Sequence, residues 1–238
     1  MTVQFIGVGV GPGDPELMTL KAWRLIEQAQ VVSYIANEAG ESQARSIALQ
    51  ALAANKNKPL EIPVCMPMNT DRSLGNAAYD QAAEAIKQQL NAGNSVLFIC
   101  EGDPLFFGSF AYLLERLQDQ YSCQVVPGIS SVHAAASALK LPLTLLKESF
   151  AVISGRHTDE QLKATLRMHD SVVIMKAGRS RKRILDALAA TGRTDEANYL
   201  EYISRENQKI ETDIRGLEPD AGPYFSLFVV IRQQRDRS

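Results

Sequence analysis

Little in this 238-residue chain is suited to metal, disulfide or nucleic-acid chemistry. Its three cysteines, Cys65, Cys100 and Cys123, form no C-x-x-C pair. That argues against a zinc site and a disulfide framework and fits a reducing compartment. Its three histidines, His133, His157 and His169, show no H-x-x-H or Cys–His spacing, so no metal is expected. Neither sign of charge prevails. The 25 Lys and Arg against 27 Asp and Glu leave a net charge of −2, with no electrostatic footprint for nucleic acid. No apolar run approaches the roughly 20 residues that span a bilayer. The N-terminus lacks a basic n-region and meets Gly and Pro by Gly13, unlike a signal peptide. No Ser/His/Asp or Cys/His constellation stands out. These absences point to a cytoplasmic protein with no metal, nucleic-acid or membrane partner.

What is present is an ordinary globular composition, 45% hydrophobic and 22% charged, long enough for two modest domains. Strand-like and helix-like segments alternate through the first half. Strands are expected at Gln4–Val10, Val31–Ile35, Glu61–Met66, Val96–Cys100 and Gln124–Val126. Helices are expected from Asp14-Pro15 to about Ala29, at Glu41–Ala54, at Ala77–Ala92 and at about Gly108–Gln118. Alternation of this kind predicts an α/β fold with a mainly parallel sheet. An alanine-rich helix, Ser130–Leu139, follows. After Pro142 the pattern changes. Strands are expected at Phe150–Ser154, Ser171–Met175, Tyr199–Ile203 and Tyr224–Val230, with helices at about Asp159–Met168 and Arg181–Ala190. The division adopted is 1–124 for an N-terminal α/β domain and 125–238 for a C-terminal one. The polar tail from Arg232 is expected to fray.

Three loops stand out. FIGVGVGPGDPELMT opens the chain, VLFICEGDPLFFGS spans Val96–Ser109, and VVPGISS spans Val125–Ser131. Each runs from a strand into glycine, and such loops build ligand sites in open α/β sheets. Gly7-Val8-Gly9 invites a dinucleotide-binding reading, but the third glycine fails. Pro12 or Asp14 stands there, depending on the frame, and the second strand ends at Ser33-Tyr34 without the acidic ribose ligand. Any single loop reads as a structural turn, with Asp14 or Asp103 as a helix cap. Three together point to one composite pocket. Phe106, Phe107 and Phe110 read as core packing, and His133 as part of a core or pocket wall.

The ordered set GVGPGDPELMTLKAWRLIEQAQVV, EGDPLFFGS and VPGISSVHAAASALKLPL closely resembles the tetrapyrrole methylase family of S-adenosylmethionine-dependent (class III) methyltransferases. Softer features are similar to the branch that methylates C-20 of precorrin-2 or of cobalt-factor II. They are Glu101 in EGDPLFFGSF, AYLLERL, CMPMNTDR with Tyr79, IMKAGR at Ile174–Arg179, the segment Tyr199–Arg205 and PYFS at Pro223–Ser226. The resemblance spans essentially the whole chain. It implies two α/β domains with a ligand cleft between them, S-adenosylmethionine as methyl donor, a tetrapyrrole substrate and a homodimer. By match to the family's loops, Pro12, Glu101, Gly102, Asp103, Ser130, Ser131 and Met175 are the expected cofactor contacts. A family member acting at another ring carbon is the nearest alternative. A Rossmann oxidoreductase and a non-catalytic tetrapyrrole-binding module are the alternatives of another class.

Methyl transfer from a sulfonium needs alignment more than acid–base machinery. Methylation at a meso carbon must still lose a proton, and Asp103 is the expected group to stabilise charge or accept it. Lys176 is the expected orienting group. The tetrapyrrole's carboxylates suit arginine, whose planar fork binds them bidentately. Arg179 and Arg205 are therefore expected at the substrate together with Asp14, and Arg45 and Arg156 are weaker candidates.

Overall fold

The glycine loops lie at one end of a parallel sheet because each follows a strand of that sheet. The computed structural model describes residues 2–66 and 72–233. Part of the CMPMNTDR stretch (67–71) and most of the polar tail (234–238) lie outside the described residues.

The chain divides into two compact units, Met1–Ser131 and Val132–Ser238. The division falls after residue 124 because the strand Cys123–Val126 pairs with the first strand of the chain. In the first unit, β1 (Phe5–Gly9), β2 (Val31–Ala36), β3 (Leu60–Cys65), β4 (Val96–Cys100) and β5 (Cys123–Val126) form a sheet in the order β3-β2-β4-β1-β5. Every pairing in it is parallel. β1 and β4 are buried along their whole length, as parallel strands covered on both faces should be.

The helices covering this sheet are α1 (Leu20–Gln28), α2 (Gln43–Ile47), α3 (Leu49–Ala54), α4 (Arg72–Asn91) and α5 (Phe110–Leu117). α1, α2 and α3 pack Ala22, Ile26, Ile47 and Ala51 on one face, against Val8, Val32 and Ile99. α4 and α5 pack Ile86, Leu90, Leu113 and Leu117 on the other, against Phe5, Val96 and Phe98.

Two expected helices are broken. The Asp14–Ala29 segment is a 3-10 turn, Pro15–Leu17, followed by α1. Between them Met18 and Thr19 are extended, and the Thr19 hydroxyl accepts from Ala22 N to start a new helix. The Glu41–Ala54 segment divides at Ala48 into α2 and α3, after Ser42 caps α2 by accepting from Arg45 N.

In the second unit, β6 (Phe150–Ser154), β7 (Ser171–Met175), β8 (Ala197–Glu201), β9 (Lys209–Glu211) and β10 (Ser226–Ile231) are ordered β6-β7-β10-β8-β9. Only β6 and β7 pair in parallel; the other pairs are antiparallel. The helices are α6 (Ser131–Leu139), which begins at the last residue of the first unit, α7 (Asp159–Met168) and α8 (Arg181–Ala190). α7 and α8 cover one face through Leu162, Leu166, Ile184 and Leu188, and α6 covers the other through Val132 and Ala135. The short β9, Lys209–Glu211, has only three residues, too few for an alternation to register in the sequence, and its Ile210 packs against the core.

Candidate active site

In the first unit, β1 leads to β2 past β4, and β4 leads to β5 past β1. These connections depart to opposite sides, with α1 and α5 on opposite faces. The ends of β1 and β4 therefore form a topological switch point, where open α/β sheets leave a crevice for ligands. The three loops seen in the sequence meet there. Val10 N donates to Cys100 O at 2.9 Å, and Gly102 N donates to Gly11 O at 2.7 Å. Gly11 and Gly102 form an isolated bridge, both at positive φ, +87° and +63°, a region that favours glycine.

The glycines of the Gly-x-Gly pattern allow close packing. A Cβ on Gly7 would stand 2.7 Å from the Phe110 ring, so Gly7 makes room for a core aromatic. A Cβ on Gly9 would stand 2.5 Å from Gly102 O and 2.6 Å from Gly128 N, and one on Gly128 would stand 2.0 Å from Gly102 O. Gly9, Gly102 and Gly128 thus bring three loop backbones into direct contact.

Asp103 clasps the same junction. Its Oδ1 accepts from Leu105 N at 2.9 Å and its Oδ2 from Gly128 N at 3.0 Å. The first bond is the local turn expected of an Asp before a tight bend. The second ties the β4 loop to the β5 loop. Pro12 and Ser130 are buried beside this junction, and Glu101, Gly102 and Ser131 are half-buried. Asp14 Oδ1 accepts from Glu16 N at 2.9 Å, so Asp14 caps the 3-10 turn. Ile129, Leu105, Phe106 and Phe107 are exposed at this end of the sheet, whereas Phe110 is fully buried. Of the three phenylalanines, only Phe110 is core. Phe107 adopts φ +57°, a strained conformation for a bulky residue. Cys100 is buried at the end of β4, and burial holds its thiol well above the usual range.

The second unit gathers the other expected residues along one sheet edge. β6, β7 and β8 run in one direction and β10 in the other. Arg156 after β6, Met175 to Arg179 at the end of β7, and Tyr202 to Arg205 after β8 therefore share an edge with the segment that enters β10. Met175 and Lys176 are half-buried, and Arg156 and Arg179 are exposed. Lys176 has φ +55°. Burial, reinforced by the charge of Arg156, pushes its ammonium pKa down. The Arg205 guanidinium lies 4.0 Å from the Phe225 ring centre, stacked on the aromatic face. His133 is exposed on α6, so it is no core residue.

Arg45 is already engaged. Its Nε and Nη2 donate to Glu61 at 2.6 and 2.9 Å, and Glu61 also accepts from the Tyr34 hydroxyl at 2.6 Å. Sequence reasoning did not find this triad, whose members lie on β2, α2 and β3; nothing in the local pattern pairs them. Nor did it find Gly128 as the partner of Asp103. Among the described residues, no group of three His, Cys, Asp or Glu side chains is placed to hold a metal, and no helix is long and apolar enough to cross a membrane.

An α/β architecture with a glycine-lined loop junction at a parallel-sheet switch point defines a ligand-binding α/β class. The chain matches the family model described as Tetrapyrrole (Corrin/Porphyrin) Methylases over residues 4–217, and it belongs to that family. It is 36% identical over 235 residues to a precorrin-2 C(20)-methyltransferase of Sinorhizobium, covering 95% of this chain and 94% of the relative. It is 28% identical to a cobalt-precorrin-2 C(20)-methyltransferase of Salmonella typhimurium, covering 98% of each chain. Its fold is similar to a solved cobalt precorrin-4 methyltransferase, with a TM-score of 0.73 at 19% identity, covering 96% of this chain and 94% of that one. It is also similar to a uroporphyrin-III C-methyltransferase of Thermus thermophilus solved with S-adenosylhomocysteine, with a TM-score of 0.66 at 24% identity, covering 96% of this chain and 97% of that one.

Proposed function

We propose that the protein transfers a methyl group from S-adenosylmethionine to C-20 of precorrin-2, or of its cobalt-containing counterpart, in cobalamin biosynthesis. The products are precorrin-3A, or its cobalt-containing counterpart, and S-adenosylhomocysteine. The observation that carries this reading is the three-loop junction at the end of β1, β4 and β5, in a chain that aligns over nearly its full length with relatives named for C-20 methylation.

The donor set of the junction fits the methyl donor. The Glu101 carboxylate and the Ser130 and Ser131 hydroxyls suit an amino-acid end, and exposed Ile129 suits an apolar body. S-adenosylmethionine, when bound, supplies an electrophilic sulfonium methyl, which an electron-rich meso carbon attacks without a metal. In this proposal Pro12, Glu101, Gly102, Asp103, Ser130, Ser131 and Met175 hold the donor. Asp103 stabilises charge or takes up the proton that C-20 releases. Each of its oxygens accepts one backbone N–H, and a carboxylate has about four acceptor positions. Lys176 orients the substrate, and Arg179 and Arg205 receive its carboxylates. Arg205 is suited to this, because its stack on Phe225 pre-orders the guanidinium plane. Asp14 is assigned to the substrate as well, through the loop that it caps. A homodimer and a cytoplasmic location belong to the same proposal and rest on the family resemblance.

Anaerobic incubation of the protein with S-adenosylmethionine and, separately, precorrin-2 and cobalt-factor II tests the reading. A product heavier by one methylene unit, formed with stoichiometric S-adenosylhomocysteine, supports it. Unchanged precorrin-2 and cobalt-factor II in the presence of bound donor would reject it.

A further inference from the structure

Beneath the basic edge of the second unit lies a buried polar cluster that the proposed reaction does not use. Arg181, the first residue of α8, is 9% exposed. A cation at a helix N-terminus opposes the helix dipole, so its placement there needs another explanation. Its Nη2 donates to the Tyr199 hydroxyl at 3.1 Å and to Glu201 Oε1 at 3.3 Å, and its Nη1 donates to Glu218 O at 3.3 Å. The Tyr199 hydroxyl donates to Glu201 Oε1 at 3.0 Å, and Glu201 is itself 9% exposed.

The segment Gly222–Ser226 rests directly on this cluster. A Cβ on Gly222 would stand 2.0 Å from Arg181 Nη2 and 2.4 Å from the Tyr199 hydroxyl, so any side chain there would displace the cluster. The segment is also tied to both flanking loops. Gly222 N donates to Gly178 O at 3.0 Å, Ala177 N to Ser226 O at 3.2 Å and Tyr202 N to Phe225 O at 2.9 Å. It carries Phe225, on which Arg205 stacks.

We infer that Arg181, with Tyr199 and Glu201, is a positioning residue: it seats the Gly222–Ser226 strap, which sets the Lys176–Arg179 loop and the Arg205 side chain for an anionic ligand. This inference rests on the proposed function for the identity of the ligand, but not for the mechanics of the strap.

Two measurements on Arg181→Gln, Arg181→Lys and Tyr199→Phe test it. The first is NMR hydrogen exchange of the Gly222, Ala177 and Tyr202 amides without substrate. At least tenfold faster exchange is expected in Arg181→Gln, with a smaller increase in Arg181→Lys and Tyr199→Phe. The second is steady-state kinetics with precorrin-2. KM is expected to rise at least fivefold in Arg181→Gln with kcat within twofold, because uniform binding is lost, and Arg181→Lys is expected to recover part of the loss. Tyr199→Phe removes one hydroxyl and keeps the ring, so it serves if Arg181→Gln fails to fold. Unchanged amide exchange, or an unchanged KM with faster exchange, would overturn the inference. Failure of the unsubstituted protein to methylate either precorrin-2 or cobalt-factor II would count against the proposed function, and the exchange data would still decide the strap.

Discussion

Asp103 shows how one side chain serves the local turn and the site together. Its carboxylate joins two loops that are 25 residues apart in sequence, and the proposal gives it charge stabilisation as well. Asp103→Ala frees Leu105 N and Gly128 N and removes the negative charge. Turnover is expected to fall more than tenfold, about 1.4 kcal/mol in the barrier, in an assay of labelled methyl transfer. Near-normal turnover would take Asp103 out of the mechanism. Gly128→Ala acts on the same junction by crowding, since its Cβ would fall 2.0 Å from Gly102 O. Overpacking of this kind costs about 1–3 kcal/mol, so the melting temperature should drop by several degrees with loss of methyl-donor binding by calorimetry. Wild-type binding in Gly128→Ala would show that the tight junction is dispensable. The motif residues were legible in the sequence because glycine and aspartate carry local turn chemistry. Their partners across the junction were not, because a contact between the β4 and β5 loops leaves no periodic trace.

Among the elements, the Tyr34–Glu61–Arg45 triad binds β2, β3 and α2 across the sheet margin. The Arg45 guanidinium holds the Glu61 carboxyl below the usual glutamate range. Burial, with the hydrogen bond to Glu61 second, pushes the Tyr34 hydroxyl up to about 12. The signs give a two-sided pH dependence. Glu61's contribution is present above its unfolded pKa, about 4.3, and is lost as pH falls through the lower folded value. Tyr34's is present below about pH 10 and is lost as pH rises toward 12. Glu61→Gln should therefore lower the melting temperature at neutral pH and flatten its acid decline. Tyr34→Phe should flatten the alkaline decline. Melting curves across pH check both, and unaltered slopes would show that the triad is not a titrating tie. The element order of the first unit was legible from alternation of strands and helices. The helix breaks at Met18-Thr19 and at Ala48 were not, because the apolar residues there keep a near-helical spacing; the Thr19 hydroxyl starts α1, and α3 starts at Ala48 with no side-chain cap to mark it. β9 was missed because it is three residues long, Lys209–Glu211, too short for its alternation to stand out.

For the whole molecule, the parallel first sheet and the mixed second sheet place two groups of chemistry on separate scaffolds. The first carries backbone-lined loops whose charged residues, Asp14, Glu16, Glu101 and Asp103, are all acidic. The second carries Arg156, Lys176, Arg179 and Arg205 along one edge. A chain with net charge −2 thus gathers four basic residues at one end of a sheet, the group to which the proposed function assigns the substrate's carboxylates. The first of these groups was visible as three glycine loops, and the second only as isolated arginines whose common edge depends on strand direction. The measurement that tests the central claim most directly is carbon NMR of the product made anaerobically from precorrin-2 and carbon-labelled S-adenosylmethionine. The account predicts a single labelled methyl at C-20. Label on another ring carbon, or no label either in precorrin-2 or, in a parallel incubation, in cobalt-factor II while the donor is bound and both substrates are intact, would contradict it.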